Sequence, residues 1–277
     1  MKKLAKNIFA DTYNQIQKEH KEFINSDKKN SFNRNVLIIC IVVCLSLTFI
    51  EYAGKNDGYY LLISFIKKIG LTEAASHIKL YIEQSANHQL FSLGYWVFII
   101  LAFYFLAPAL IIKYLFRQKL SEYGLCRGSL FKEYRLYLLF FVIMVPLILF
   151  FSTTDGFQQR YPFYRIKHHE TLWPNFVIWQ VLYFFQFVAL EFFFRGFMLH
   201  GLKKQFGYYS IFVMTIPYCM IHFGKPFPET LAAIIAGIVL GTISLKSRSI
   251  WMGVAIHYTV ALSMDIAALW QKGYWFN

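Results

Sequence analysis

The sequence predicts an all-α polytopic membrane protein, with about seven transmembrane helices preceded by an N-terminal amphipathic helix. Three observations predict it. The 277 residues are 57% hydrophobic. Only 16% are charged, where a soluble domain carries about a quarter. The apolar residues also come in runs long enough to cross a bilayer. In lipid each run must satisfy its own backbone, which selects helices over open strands.

The charge fits the same class. The net charge is +13, yet no zinc-finger, recognition-helix or base-stacking pattern accompanies it, so no nucleic-acid partner is expected. Basic loops beside apolar spans follow from the positive-inside rule, with membrane lipids as the expected surroundings. Cys40, Cys44, Cys126 and Cys219 have no metal-site or redox spacing. They read as small apolar residues, and no disulfide framework is expected. The first apolar run begins near Val36, behind a polar leader without a convincing cleavage site, and reads as a retained span.

Residues 1–34 hold eight basic and four acidic side chains. Phe9, Tyr13, Ile16, His20 and Phe23 recur at three- and four-residue steps, which makes an amphipathic helix suited to the cytoplasmic membrane surface. Packing on other loops is the competing reading. The first span is 35–53, and a polar connection, 54–89, carries shorter helical pieces. The second span, 91–116, is kinked at Pro108. A basic loop follows with Lys113, Arg117, Lys119, Arg127, Lys132 and Arg135. The third span is 136–151, and 152–175 is a polar loop holding His168 and His169. The fourth span is 176–200; the fifth, 208–222, comes after Lys203 and Lys204. The link 222–230, HFGKPFPET, breaks the helix with a glycine and two prolines. In the sixth span, 231–245, Ala233, Gly237 and Gly241 sit four apart, a small-residue stripe that permits close helix approach. The seventh, 250–270, follows Lys246 and Arg248. With the N-terminus in the cytoplasm, the three basic loops between spans are cytoplasmic as well.

Chemistry concentrates in the second half. The stretch 187–200, FVALEFFFRGFMLH, places Glu191 and Arg195 four residues apart in an otherwise apolar run. On a helix these share a face in the favourable order. Ionisable groups at such depth face the protein interior and are either functional or a structural ion pair. His222 and His257 follow on later spans. At ~1.5 Å of rise per residue, Glu191 lies about 9–14 Å from the cytoplasmic end of its span, His222 about 20 Å and His257 about 10 Å. With ordinary tilt the three converge in the inner half of the membrane. Glu229, at the start of the sixth span, is either a helix N-terminal acid or a carboxylate facing that cavity. Asp265, eight residues after His257, is a supporting or alternative site residue. His200, nine residues after Glu191, faces away.

These residues carry a family likeness. EFFFRG at 191–196, the aromatic-x-x-x-His of Tyr218 and His222, and His257 in the last span resemble the CPBP family, the intramembrane CAAX-protease and bacteriocin-processing proteins also called Abi. The likeness runs over about 120–265 and includes SEYGLCRG before the third span and SRSIWMGVAIH entering the seventh. With the periodicity and apolar runs above, the chain divides into three segments: 1–34, a cytoplasmic amphipathic piece; 35–119, N-terminal membrane helices; and 120–277, the membrane core that the resemblance marks as CPBP-like. The resemblance also implies a helical bundle around a membrane cavity. The family's pattern is Glu-Glu-x-x-x-Arg, a His after an aromatic, and a final His-x-x-x-Asn or His-x-x-x-Asp. The first Glu and first His activate water, and the last His with its partner stabilises the oxyanion.

The chain departs from that pattern twice. Leu190 stands where the family has its first Glu, and Ala261 stands four residues after His257. The resemblance implies an endopeptidase of glutamate type. Its substrate would be a membrane-associated or lipidated peptide. The basic loops set a cytoplasmic N-terminus, and the lack of organelle signals with the compact loops suggests a bacterial plasma membrane. Glu191, His222 and His257 are the catalytic candidates, with Arg195, Glu229 and Asp265 in support. The two departures favour the alternative, a catalytically inactive membrane scaffold or bacteriocin-immunity protein. Zinc is the minor variant. Two histidines and a carboxylate suffice as ligands, but they come from three helices and H-E-x-x-H is absent, so no cofactor is expected. A transporter lacks support, because no inverted repeat is present.

Overall fold

The computed structural model describes residues 2–25, 33–54, 58–127, 134–165 and 171–274. Every regular element among them is helical. The expected positions of Lys132, His168 and His169 lie outside the described residues.

The main helices are α1 (Lys2–Asn25), α2 (Arg34–Phe49), α3 (Tyr59–Lys68), α4 (Thr72–Gln84) and α5 (His88–Ile100). They continue with α6 (Tyr134–Ser152), α7 (Asp155–Arg160), α8 (Asn175–Glu191), α9 (Gly201–Phe206), α10 (Ser210–Met220), α11 (Phe227–Ser247) and α12 (Trp251–Gln271). Among the described residues five helical runs are long and apolar enough to cross a membrane: Arg34–Gly54, His88–Leu115, Asn175–Met220, Phe227–Ser247 and Trp251–Gln271. A shorter apolar stretch, Leu138–Ser152, lies in α6. This is an all-α polytopic membrane fold.

Seven spans are expected from the sequence, and the difference has two sources. The apolar part of α6 is short for a span. The run Asn175–Met220 has 46 residues and contains two expected spans. Gly207, at φ +56° and ψ −139°, turns the chain there, so α10 packs back against the segment 192–200. Only glycine adopts such a backbone without strain. The fifth expected span also ends early. α10 stops at Met220, and the turn over 221–224, closed by Gly224 at φ +85°, puts His222 in the link rather than in the helix.

The run around Glu191 is the axle of the bundle. In its most apolar window 67% of residues are buried, against 22% and 28% for the first two runs. Its middle, Phe192–His200, is wound as a π-helix rather than the α-helix the sequence suggests. The wider turn buries three consecutive phenylalanines, each on a different neighbour. Phe192 packs on Phe105 at 4.9 Å between ring centroids, Phe193 stacks on Tyr104 at 4.1 Å, and Phe194 meets Tyr218 edge-on at 5.3 Å. Between helices in lipid, packing replaces the hydrophobic effect as the cohesive force. Aromatic pairs of this kind contribute about 0.5–1.5 kcal/mol each. In the second run, π-turns at Leu101–Leu106 and Ile111–Leu115 flank Pro108, and the Phe103 carbonyl accepts from the Ser46 hydroxyl at 3.2 Å.

The small-residue stripe of α11 faces α10. A Cβ on Gly237 would lie 2.7 Å from Thr215 Cγ2, so the missing side chain sets that helix spacing. The N-terminal helix departs from its expected stripe. Ile8, Thr12 and Ile16 are the buried row, while Phe9 and Tyr13 stay partly exposed on its flank. α1 packs on α9, on the turn at Gly207 and on α11, with His20 Nδ1 2.9 Å from the Lys204 carbonyl and Glu19 3.4 Å from Arg248. The β-branched Ile8, Thr12 and Ile16 fit between helix ends, while Tyr13 on the flank meets Tyr208 edge-on at 5.4 Å between ring centroids.

Candidate active site

Glu191 closes α8, and the π-winding begins at the next residue. In a π-turn, closed by i→i+5 bonds, a residue four positions on lies close to the same line along the helix. Arg195 is thereby set over Glu191, its Nη1 donating to Glu191 Oε1 at 2.9 Å. The same oxygen accepts from His257 Nδ1 at 2.5 Å. His257 comes from α12, whose Gly253 lies one helical turn earlier on the same face. A Cβ at 253 would come within 2.8 Å of Glu191 Cδ, so glycine there makes the room in which the carboxylate sits.

Tyr218 of α10 holds the other side of the site. Its hydroxyl is 2.7 Å from His257 Nε2. Its ring lies under the Arg195 guanidinium, 4.1 Å from Cζ to centroid, a cation–π contact worth about 2 kcal/mol when desolvated. Its carbonyl accepts from His222 Nδ1 at 2.8 Å, and the His222 ring stands edge-on to the phenol at 4.9 Å. Phe187 stacks on His257 at 5.4 Å. Thr230 Oγ1 donates to the His222 carbonyl at 3.0 Å, which ties the link to α11.

Burial separates the roles. Glu191, Arg195 and Tyr218 have no exposed surface. His257 keeps 18% of its side chain exposed, and His222 is partly buried. The imidazoles, not the carboxylate, therefore reach the edge of the site. Glu191 Oε2 and Arg195 Nε and Nη2 are buried without a hydrogen-bond partner among the described residues, a cost the cation–π contact offsets in part.

The remaining candidates are placed elsewhere. Glu229 pairs with Lys225 at 2.6 Å, and the Tyr161 hydroxyl bridges its two oxygens at 2.9 and 3.0 Å. Burial first, then the Glu229 charge, pushes the Tyr161 phenol well above its ordinary range, so it stays protonated and donates. Asp265, expected in support of His257, sits in a different set of contacts. Its Oδ1 accepts from the Phe163 amide at 2.8 Å, and its Oδ2 accepts from Gln180 Nε2 at 2.9 Å and Trp179 Nε1 at 3.4 Å. Eight residues of helix carry it away from His257, and it fastens the segment around Phe163 to α8 and α12. Leu190 and Ala261 are both buried in apolar clusters. His200 turns to α11, with Nε2 3.1 Å from Ser244 Oγ.

Among the described residues no group of three or more His, Cys, Asp and Glu side chains is arranged to hold a metal ion. Glu191 and His257 bond to each other instead of converging on a shared point.

Residues 172–263 match the family model of the Rce1-like type II CAAX prenyl endopeptidases. No curated protein and no solved structure matches the chain. The Rce1-like stretch contains Glu191, Arg195, Tyr218, His222, Glu229 and His257, and leaves out Tyr161 and Asp265. At the level of the family it supports an intramembrane endopeptidase.

Two residues of this site carry signals that sequence reasoning passes over. Tyr218 reads only as the aromatic before His222, although a tyrosine in an apolar run brings a hydroxyl that must find a partner. Gly253 is the single glycine of the seventh span and lies four residues before His257, so it shares its face.

Proposed function

We propose that the chain is an intramembrane endopeptidase of the CPBP type that hydrolyses a peptide bond of a membrane-associated or lipidated peptide. The Rce1-like match supports the reaction class. The observation that carries the reading is the pair of imidazoles, His222 and His257, brought to one phenol, with a buried carboxylate behind only one of them.

In this reading His222 is the base. Its Nδ1–H is committed to the Tyr218 carbonyl, which leaves Nε2 as the lone-pair nitrogen. Nε2 takes a proton from water, and the hydroxide adds to the peptide carbonyl carbon. The negative charge that develops on the carbonyl oxygen forms beside the His257 ring, on the side where the Arg195 cation is held against Tyr218. The C–N bond then breaks, His222 returns its proton to the leaving nitrogen, and a carboxylic acid and an amine are released. Glu191 does not meet water in this scheme. It orients His257, and Arg195 balances its charge. The basic loops between spans support a cytoplasmic N-terminus, and the plasma membrane of a bacterium is the proposed setting.

The test is cleavage of prenylated and transmembrane peptides by the full chain in lipid nanodiscs, followed by mass spectrometry. His222→Ala is expected to lower turnover about 100-fold or more, the scale of a lost general base. Glu229→Ala is expected to stay within about threefold, since Lys225 and Tyr161 occupy that carboxylate. Cleavage that survives His222→Ala, His257→Ala and Glu191→Ala together would sink the site. Activity lost to a chelator and restored by zinc would move the reading to a metallopeptidase.

One observation favours a second reading, a non-catalytic scaffold. Leu190 fills the position of the family's first Glu with core side chain, and Glu191 beside it is closed to solvent. A protein that binds such peptides and cuts none of them would support that reading.

A further inference from the structure

Tyr218 is the residue on which the site's other polar groups meet. Its carbonyl holds His222, its ring carries Arg195, and its hydroxyl reaches His257. The first two contacts need only an aromatic ring and a backbone, which phenylalanine supplies equally well. The third needs the oxygen. Glu191 Oε1 takes up His257 at Nδ1, and a carboxylate paired with an arginine only accepts, so Nδ1 carries the proton. Nε2 is then the accepting nitrogen of a neutral ring, and the only side chain shown bonding to it is Tyr218. Among the described residues the Tyr218 hydroxyl is shown with no other acceptor, so its proton is directed at Nε2.

We propose that the Tyr218 hydroxyl is a positioning residue that donates to His257 Nε2, fixing His257 as the neutral tautomer protonated at Nδ1. Glu191, His257 and Tyr218 then form one continuous chain from carboxylate through imidazole to phenol, contributed by α8, α12 and α10. The phenol holds the accepting nitrogen in register with the His222 ring, which hangs from the carbonyl of the same residue. The hydroxyl thus ties together the two imidazoles on which the proposed hydrolysis depends. The assignment of the tautomer stands on the hydrogen bonds alone. Its consequence for turnover rests on the peptidase reading.

Two measurements on the full chain in nanodiscs separate the two. The first is nitrogen-15 NMR of the histidine rings, with the His257 signals identified by their loss in His257→Gln. The expected spectrum has a protonated Nδ1 and an unprotonated, hydrogen-bonded Nε2. In Tyr218→Phe the Nε2 signal moves to that of an unbonded nitrogen, or the ring populates both tautomers. A wild-type ring protonated at Nε2 overturns the proposal, as does a Tyr218→Phe spectrum unchanged from wild type. The second is peptide cleavage. Tyr218→Phe is expected to lower kcat about tenfold, the scale of one buried hydrogen bond, with KM little changed. Incorporation of 4-aminophenylalanine at position 218, which retains a donor, is expected to restore part of kcat. A loss confined to KM, or no loss, contradicts the positioning role. A protein inert on every peptide that nonetheless shows the NMR change upholds the Tyr218 assignment and removes the peptidase reading.

Discussion

Glu191 owes its position to Gly253 as much as to Arg195 and His257. The carboxylate lies against the bare Cα of α12, and a methyl group at 253 would occupy the same space. Gly253→Ala is therefore expected to push Glu191 off His257, costing about 1–3 kcal/mol in overpacking and most of any peptidase activity. Thermal unfolding in detergent and the cleavage rate check this, and a variant equal to wild type in both would contradict the packing account. At this scale the sequence shows the charged members of the site and hides the neutral ones. Glu191 and Arg195 stand out because ionisable groups are rare in apolar runs, and their spacing of four keeps them together in an α-turn and a π-turn alike. Tyr218 does not stand out, since a tyrosine among phenylalanines reads as packing. Asp265 is the converse case. It is as conspicuous as Glu191, yet its three donors come from the Phe163 backbone and two side chains of α8 that no spacing connects to it.

Among the elements, the π-segment Phe192–His200 does most to shape the site. It buries Phe192, Phe193 and Phe194 on three partners and still presents Arg195 to Glu191. Hydrophobic periodicity cannot reveal such winding, because a segment apolar on all sides has no phase to read. The turn at Gly207 is the second decisive element. It folds one 46-residue apolar run into two antiparallel arms and brings Tyr218 back to Arg195. A Cβ there would also meet Gln17 Oε1 at 2.7 Å and His20 Cγ at 3.2 Å, which joins the turn to α1. Gly207→Ala is expected to cost about 1–3 kcal/mol of backbone strain and to loosen α1 from the bundle. Hydrogen exchange of residues 8–20 in the variant checks it, and protection equal to wild type would show that α1 does not depend on the turn. The position of α1 is itself a lesson in reading an amphipathic helix. The sequence shows that one face is apolar. Which row of that face is buried depends on the gap between α9 and α11.

For the molecule as a whole, the membrane class was legible from composition, because long apolar runs with few charges have no other stable form. The break at Gly207 was legible from Lys203 and Lys204 between two apolar stretches, whereas the stop of α10 at Met220 was not, since it depends on the turn over 221–224. The orientation proposed from the basic loops makes a direct prediction. In oriented vesicles, a cysteine in place of Lys204 should react with an impermeant maleimide only from the cytoplasmic side, and one in place of Asp155 only from the other. The reverse pattern would invert the topology and place the link at His222 nearer the cytoplasm than the turn at Gly207. The central claim is that this bundle hydrolyses peptides through His222 and His257. It is tested most directly by cleaving a prenylated C-terminal peptide in water enriched in oxygen-18, with mass spectrometry of the product. The account predicts one oxygen-18 atom in the new carboxylate for the wild-type protein, with product formed about 100-fold more slowly or less by His222→Ala and much reduced in His257→Ala. A product free of the label, or one formed by both variants at the wild-type rate, would contradict it.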